Sequence, residues 1–158
     1  MRTVRLRLHV PDRSASDVYA ALADFERYPI LCEAVQSVAI TEVSENLTVS
    51  RWDVTFRTGL LRWTEEDTFD PGALTITFRQ LDGDIPIFDG SWRCVDAAPG
   101  SEVLFCARLD MGIPSLADAL EPIAARTLID NIVSIVRGLV GGAEIAESDI
   151  AVPAGSAS

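Results

Sequence analysis

Apolar and polar positions alternate along most of this chain, which predicts a protein built mainly from half-buried strands. In "RTVRLRLHV", Val4, Leu6, Leu8 and Val10 share one face, while Arg5, Arg7 and His9 share the other. The period then lengthens: "SASDVYAALADFERYP" reads as a helix opened by a Ser14/Asp17 capping box and stopped by Pro29. A short irregular piece around "ILCEAV" leads into a strand near residues 35 to 43. From there alternation returns in run after run. "LTVSRWDVTFR" sets Trp52, Val54 and Phe56 on one face, and Thr58-Gly59 breaks it before "RWTEEDTFD". After the "DPGA" turn, "LTITFRQL" points Leu74, Ile76, Phe78 and Gln80 one way. "IFDGSWRCV" and "VLFCARLDM" follow, the latter with Val103, Phe105, Ala107, Leu109 and Met111 on a common face.

The last long element is helical. "PSLADALEPIAARTLIDNIVSIVRGLVGG" is predicted to be capped by Ser115 with Asp118 and closed by Gly141-Gly142. Its ~26 residues would span roughly 39 Å, with Pro122 expected to kink the rod. The order is thus strand, helix, about six antiparallel strands and one long helix. An antiparallel sheet buries one face, and this helix is the large apolar element available to cover it. A straight rod cannot fill a concave sheet, so a tunnel between them is the expected site. The predicted class is α+β, a curved antiparallel sheet of about six to seven strands around a C-terminal helix. Residues 1–142 form the domain, and residues 143–158, ending in "AVPAGSAS", are expected to be a disordered tail.

"RWTEEDTFD" conflicts with this simple pattern. On a strand, Trp63, Glu65, Asp67 and Phe69 share a face, so two acids sit where a Trp and a Phe point inward. A buried carboxylate without a partner costs several kcal/mol, so it becomes neutral, pairs, or borders a wet cavity. Alternate strand positions lie ~7 Å apart, close enough for one acid to raise the pKa of the other. A carboxyl poised near neutrality can abstract an acidic proton between two carbonyls or donate one to a leaving hydroxyl. The alternatives are a place at the open end of the sheet or pairing with Arg51, Arg57 or Arg126.

Composition narrows the partners. The 48% apolar content of the 158 residues argues for a packed domain despite a net charge of −11. The thirteen basic residues are all Arg and are scattered, so neither nucleic acid nor an anionic membrane surface is an expected partner. No run of some 18 apolar residues suggests a membrane span, and no secretory leader is evident, so the expected location is the cytoplasm. Cys32, Cys94 and Cys106 lack C-x-x-C spacing; Cys32 and Cys94 are read as small apolar fillers. His9, between Arg5 and Arg7 on the wet face, is a poor candidate for nucleophilic schemes. No metal-ligand cluster or phosphate loop stands out, and no cofactor is expected.

The element order, "FERYP" with Asp24 and Tyr28-Pro29, "LDGDIPIFDGSWRC", and the long terminal helix together resemble the START-like, helix-grip superfamily over residues 1 to about 142. Two branches are similar: the polyketide aromatase/cyclases, and the coenzyme-Q-binding proteins with their ribosome-associated relatives. The shared Gly-Pro-Phe … Gly-x-Trp run appears here as Asp82-Gly83-Asp84-Ile85 and Gly90-Ser91-Trp92, without its Pro-Phe. The aromatase/cyclase pattern W-x-S-x-R aligns Trp63 with its Trp, Glu65 with its Ser and Asp67 with its Arg, so a carboxylate replaces the cation. The resemblance implies a cavity for a hydrophobic ligand. On the first reading the chain is a polyketide cyclase in which Glu65 and Asp67 act as acid and base. Trp63, Trp52, Phe56, Phe69, Phe78, Gln80, Trp92, Phe105 and Tyr28 would line the cavity, and Thr127 or Asn131 would hold a carbonyl. Whether the substrate arrives free or on an acyl carrier protein stays open. The second reading is a carrier for a quinone, lipid or metabolite; the third is an interaction module dimerising through its helix.

Overall fold

The computed structural model describes residues 1–56, 59–110 and 114–151, apart from the side chains of Glu42 and residues 114–120. Its strands are β1 (Arg2–Val10), β2 (Val35–Ser44), β3 (Leu47–Phe56), β4 (Gly59–Asp70), β5 (Thr75–Gly83), β6 (Ile87–Asp96), β7 (Ser101–Asp110) and β8 (Glu144–Ala151). The helices are α1 (Ala15–Ala23), a 3₁₀ turn at Phe25–Arg27, the short α2 (Tyr28–Leu31) and the long α3 (Pro114–Val140). All eight strands join one antiparallel sheet in the order β2-β3-β4-β5-β6-β7-β1-β8. This is the expected α+β helix-grip architecture, with eight strands where six to seven were anticipated.

The alternation of β1 and β7 translates directly into packing. Val4, Leu8, Val10 and Val103 are wholly buried, and Leu6, Phe105, Ala107 and Leu109 nearly so. Met111, Arg57 and Thr58 lie outside the described residues. α3 lies against β1, β7 and β8 and against α1 and α2. Its buried stripe runs through Ala125, Ile129, Ile132, Val133, Val136 and Val140, a spacing of three and four residues. Ile123 of the same helix is exposed. Gly141 ends the helix in a left-handed conformation, φ +87°, its N–H bonded to Arg137 O at 3.0 Å. The helix runs through Pro122, and the cap expected at Ser115 with Asp118 falls among the side chains outside the described set.

Two expectations are corrected. Pro29 does not end the first helix. Ser14 Oγ caps α1 by accepting from Asp17 N–H, but α1 stops at Ala23, and Pro29 lies in the first turn of α2, where its missing N–H removes no helical bond. The segment expected as a tail is also ordered as far as Ala151, because β8 pairs with the otherwise open edge of β1. That segment is polar and largely exposed, so its hydropathy does not announce a strand. What holds it is backbone pairing reinforced by charge: Arg5 meets Asp149 at 3.9 Å, and Arg7 meets Glu147 at 3.4 Å and Glu102 at 2.7 Å. The basic outward face of β1 thereby finds acids on both flanks. Residues 152–158 lie outside the described residues.

Two glycines of the motif sit where no side chain fits. A Cβ at Gly90 would lie 2.1 Å from Cys106 O and 2.9 Å from the Phe78 ring, so only glycine lets that ring lie across β6. Gly83, at φ +149°, sits 2.5 Å in the same sense from the backbone of Trp63, where β5 pairs with β4 across a bulge.

Candidate active site

The inward faces of β3 and β4 build the site in three rungs. Trp52 pairs with Trp63, Ser50 with Glu65, and Thr48 with Asp67. The two indoles are parallel within 6°, centroids 6.1 Å apart. Each reaches along its own strand to a polar neighbour two residues away: Trp63 Nε1–H donates to Glu65 Oε1 at 2.7 Å, and Trp52 Nε1–H donates to Ser50 Oγ at 2.8 Å. Ser50 then donates to Asp67 Oδ2 at 2.6 Å, within the range of a hydroxyl bonded to a carboxylate. The Glu65 and Asp67 carboxyls lie in hydrogen-bonding reach of each other. Asp67 Oδ1, buried, receives no hydrogen bond from an N–H or hydroxyl.

Burial dictates the electrostatics. Glu65 and Asp67 are 5% and 0% exposed. Burial pushes Glu65 well above the usual carboxylate range, and the hydrogen bond and charge of Asp67 push the same way, against the Trp63 N–H. Burial also raises Asp67, and the Glu65 and Ser50 hydrogen bonds oppose the rise. Arg51 and Arg126 are exposed, so the buried pair is not neutralised by an arginine there; Arg57 lies outside the described residues. Tyr28 donates to Leu22 O at 2.6 Å, and burial holds its hydroxyl well above the ordinary range, hence neutral.

A hollow of about 80 Å³ adjoins the pair. Its wall is aromatic: Trp52, Trp63, Phe78, Trp92, Phe105 and Tyr28, as expected, together with Phe25 and Phe88. A second hollow of about 50 Å³, bordered by Phe56, Thr127 and Leu61, shares Trp63, Phe88, Leu128 and Asn131 with the first. Asn131 borders both, its amide donating to Thr55 O at 3.4 Å. Ser134, one turn further along the helix, is exposed.

Two expected lining residues fall elsewhere. Gln80 pairs in register with Glu65 beside the β4–β5 bulge, but its amide donates to Ile85 O and it borders neither hollow. Phe69 packs on Phe25 with centroids 5.6 Å apart and borders neither hollow. Phe25, Phe88 and Ser50 escaped sequence reasoning. Phe88 was legible from its place two residues before Gly90 on the inward face of β6. Nothing in the local pattern marks Ser50, because its role depends on the strand beside it. Cys32 and Cys94 are buried fillers, with the Cys94 thiol pushed up to about 12 by burial. His9 sits on the outer face, its Nε2–H donating to Pro99 O at 2.7 Å. Among the described residues, no three His, Cys, Asp or Glu are grouped as metal ligands, and no helix is long and apolar enough to cross a membrane.

A family model described as polyketide cyclase / dehydrase and lipid transport matches residues 11–134. The chain belongs to this family. A curated relative, the actinorhodin polyketide synthase bifunctional cyclase/dehydratase of Streptomyces coelicolor, is 30% identical over 131 residues. The match takes in 78% of this chain but only 40% of the relative, so the chain spans well under half the relative's length. Among solved structures, a protein from Thermus thermophilus superposes with a TM-score of 0.79 at 24% identity, covering 87% of this chain and 93% of that one. The Zhui aromatase/cyclase from a Streptomyces species gives 0.70 at 18%, covering 85% and 92%. A START superfamily protein from Mycobacterium smegmatis gives 0.75 at 18%, covering 89% and 97%. These likenesses establish the family's helix-grip fold.

Proposed function

We propose that this chain is a cofactor-independent polyketide cyclase/aromatase-like enzyme in which Glu65 and Asp67 work as one acid/base pair. The observation that carries the reading is a pair of carboxyls, Glu65 and Asp67, buried together beside an aromatic hollow, where burial favours the neutral form of Glu65. Such a pair accepts and donates a proton without a net change in charge. A methylene between two ketones in a poly-β-ketone loses its proton to the ionised carboxyl. The resulting enolate carbon attacks a second carbonyl of the same chain, forming a C–C bond, and the neutral carboxyl protonates the new alkoxide. Loss of a further α-proton with protonation of the hydroxyl releases water and yields the conjugated ring. Intramolecular closure gains chiefly from orientation, and the aromatic wall supplies it for a flat, unsaturated chain. Asn131, bordering both hollows, holds a ketone oxygen.

Each hollow alone is far smaller than the ~300–1,000 Å³ of small-molecule pockets. Substrate entry therefore joins the two hollows by swinging Trp63 and Leu128, both half-buried and both in the common wall. A carrier of hydrophobic metabolites is the second reading, and the almost wholly apolar wall favours it. A minimal polyketide synthase reconstituted with and without the protein separates the two. The enzyme reading expects new cyclised products. It also expects Asp67→Asn and Glu65→Gln each to slow their formation by about 10²–10⁴-fold with unchanged circular dichroism. An unchanged product profile with a co-purifying lipid establishes the carrier, and normal cyclisation by both variants removes the carboxyls from the chemistry.

A further inference from the structure

The hydrogen-bond pattern around the two carboxyls is not symmetric. An indole N–H is a donor only, so Trp52 obliges Ser50 Oγ to accept. The single hydroxyl hydrogen of Ser50 is then free for only one acceptor within reach, Asp67 Oδ2 at 2.6 Å. The bond is fully buried, since Ser50 and Asp67 are both 0% exposed, and Trp52 is 7% exposed. Glu65 receives one neutral donor, the Trp63 N–H, in a partly buried bond. Asp67 thus lies at the end of a two-step chain in which each bond polarises the next, and Glu65 does not.

We infer that Ser50, anchored by Trp52, is a positioning residue that assigns the negative charge to Asp67 and leaves the proton on Glu65. Asp67 Oδ2 accepts from Ser50, while Asp67 Oδ1 is buried without an N–H or hydroxyl donor. If Asp67 carried the proton instead, the polarised Ser50 hydroxyl would point at a neutral acid while the charge sat on the less supported Glu65. On the cyclase reading, on which this step rests, Asp67 is the base that takes the α-proton and Glu65 the acid that delivers one to oxygen. The charge assignment itself depends only on the hydrogen bonds.

Neighbouring elements do not override it. α3 presents the uncharged Asn131, β5 the uncharged Gln80 opposite Glu65, and α2 presents Tyr28, kept neutral by burial. Glu66, on β4 itself, adds a negative charge that works against an ionised Asp67, and the Ser50 hydrogen bond works for it.

The test is a pH titration of the side-chain carboxyl ¹³C shifts in ¹³C-labelled, substrate-free protein, with wild type, Ser50→Ala and Trp52→Phe compared. In wild type, Asp67 is expected to remain charged to lower pH than Glu65. Ser50→Ala should move the Asp67 step upward by about 1–2 pH units, the value of a hydrogen bond to a charged group. Trp52→Phe, which keeps a ring but removes the N–H, should move it the same way by less. The acidic limb of the cyclisation pH profile should follow in Ser50→Ala. An Asp67 step that coincides in wild type and Ser50→Ala overturns the inference, as does a wild type in which Glu65 holds the charge. If the titration moves as expected but wild type cyclises nothing, the charge assignment stands and the cyclase reading falls. If wild type cyclises and the titration does not move, the reverse holds.

Discussion

The β1–β7 end of the sheet and its β3–β4 end follow the same period-two pattern yet do opposite things with it. At the first end the inward residues are aliphatic apart from Phe105. Val4, Leu8, Val10 and Val103 have no exposed surface, and α3 packs across β1 and β7 with α1 beside it on β6 and β7. At the second end the inward residues are Ser50, Trp52, Trp63, Glu65 and Asp67. Flexible aliphatic chains interdigitate to near-crystalline density. Broad rigid rings meeting edge to face or in parallel at 5–6 Å leave gaps between them. The polar groups at that end are satisfied almost wholly by one another, with Ser50 between Trp52 and Asp67. One end supplies stability, and the other holds a hollow with titratable groups that the first end keeps in place.

The comparison can be broken by truncation and by filling. Leu8→Ala at the solid end is expected to cost about 2–5 kcal/mol in urea unfolding, since the surrounding strands and helix cannot collapse into the space. A cost near zero would mean that the packing there is loose. Enlargement should separate the ends by sign. Ala107→Val, on the inward face of β7, should destabilise by about 1–3 kcal/mol through overpacking. Val54→Leu, which borders both hollows, should stabilise by up to about 0.8 kcal/mol for its added methylene and weaken binding of a hydrophobic probe. Loss of stability in Val54→Leu would show that the hollow is not available space.

A further effect depends on pH. Glu65 carries a native pKa raised above its unfolded value near 4.5, because burial disfavours its charge. The native state therefore keeps a proton that the unfolded chain has released. The stability from this group is complete below pH 4.5 and declines as pH rises through the raised native value. Glu65→Gln mimics the neutral acid and removes that decline. Its melting temperature should match wild type near pH 4.5 and exceed it by a growing margin as pH rises toward the raised native value. A difference that shrinks with rising pH would mean that Glu65 is ionised in the native protein.

Much of this molecule is legible in the alternation of its residues. Strand faces, the two helices, the inward placement of Glu65 and Asp67, and the wet position of His9 all follow from local periodicity, which acts between residues one to four positions apart. The misses share a cause. β8 is polar, and only the open edge of β1 with Arg5 and Arg7 makes a strand of it. Gln80 alternates correctly but turns away at a bulge set by the register of two strands. Pro29 reads as a stop signal, whereas the chain uses it to start a second short helix.

By itself the sequence determined which residues face inward, because side-chain direction on a strand is a local property of the backbone. It also placed two acids on the same strand face as Trp63 and Phe69. Only the tertiary structure decided what those acids meet there. Register between β3 and β4 brings Ser50 to Asp67 across seventeen positions of sequence, and it stacks the indoles whose N–H groups complete the network. Which carboxyl keeps its proton depends on those cross-strand partners, since the cost of a buried charge is settled by the few donors within hydrogen-bonding distance.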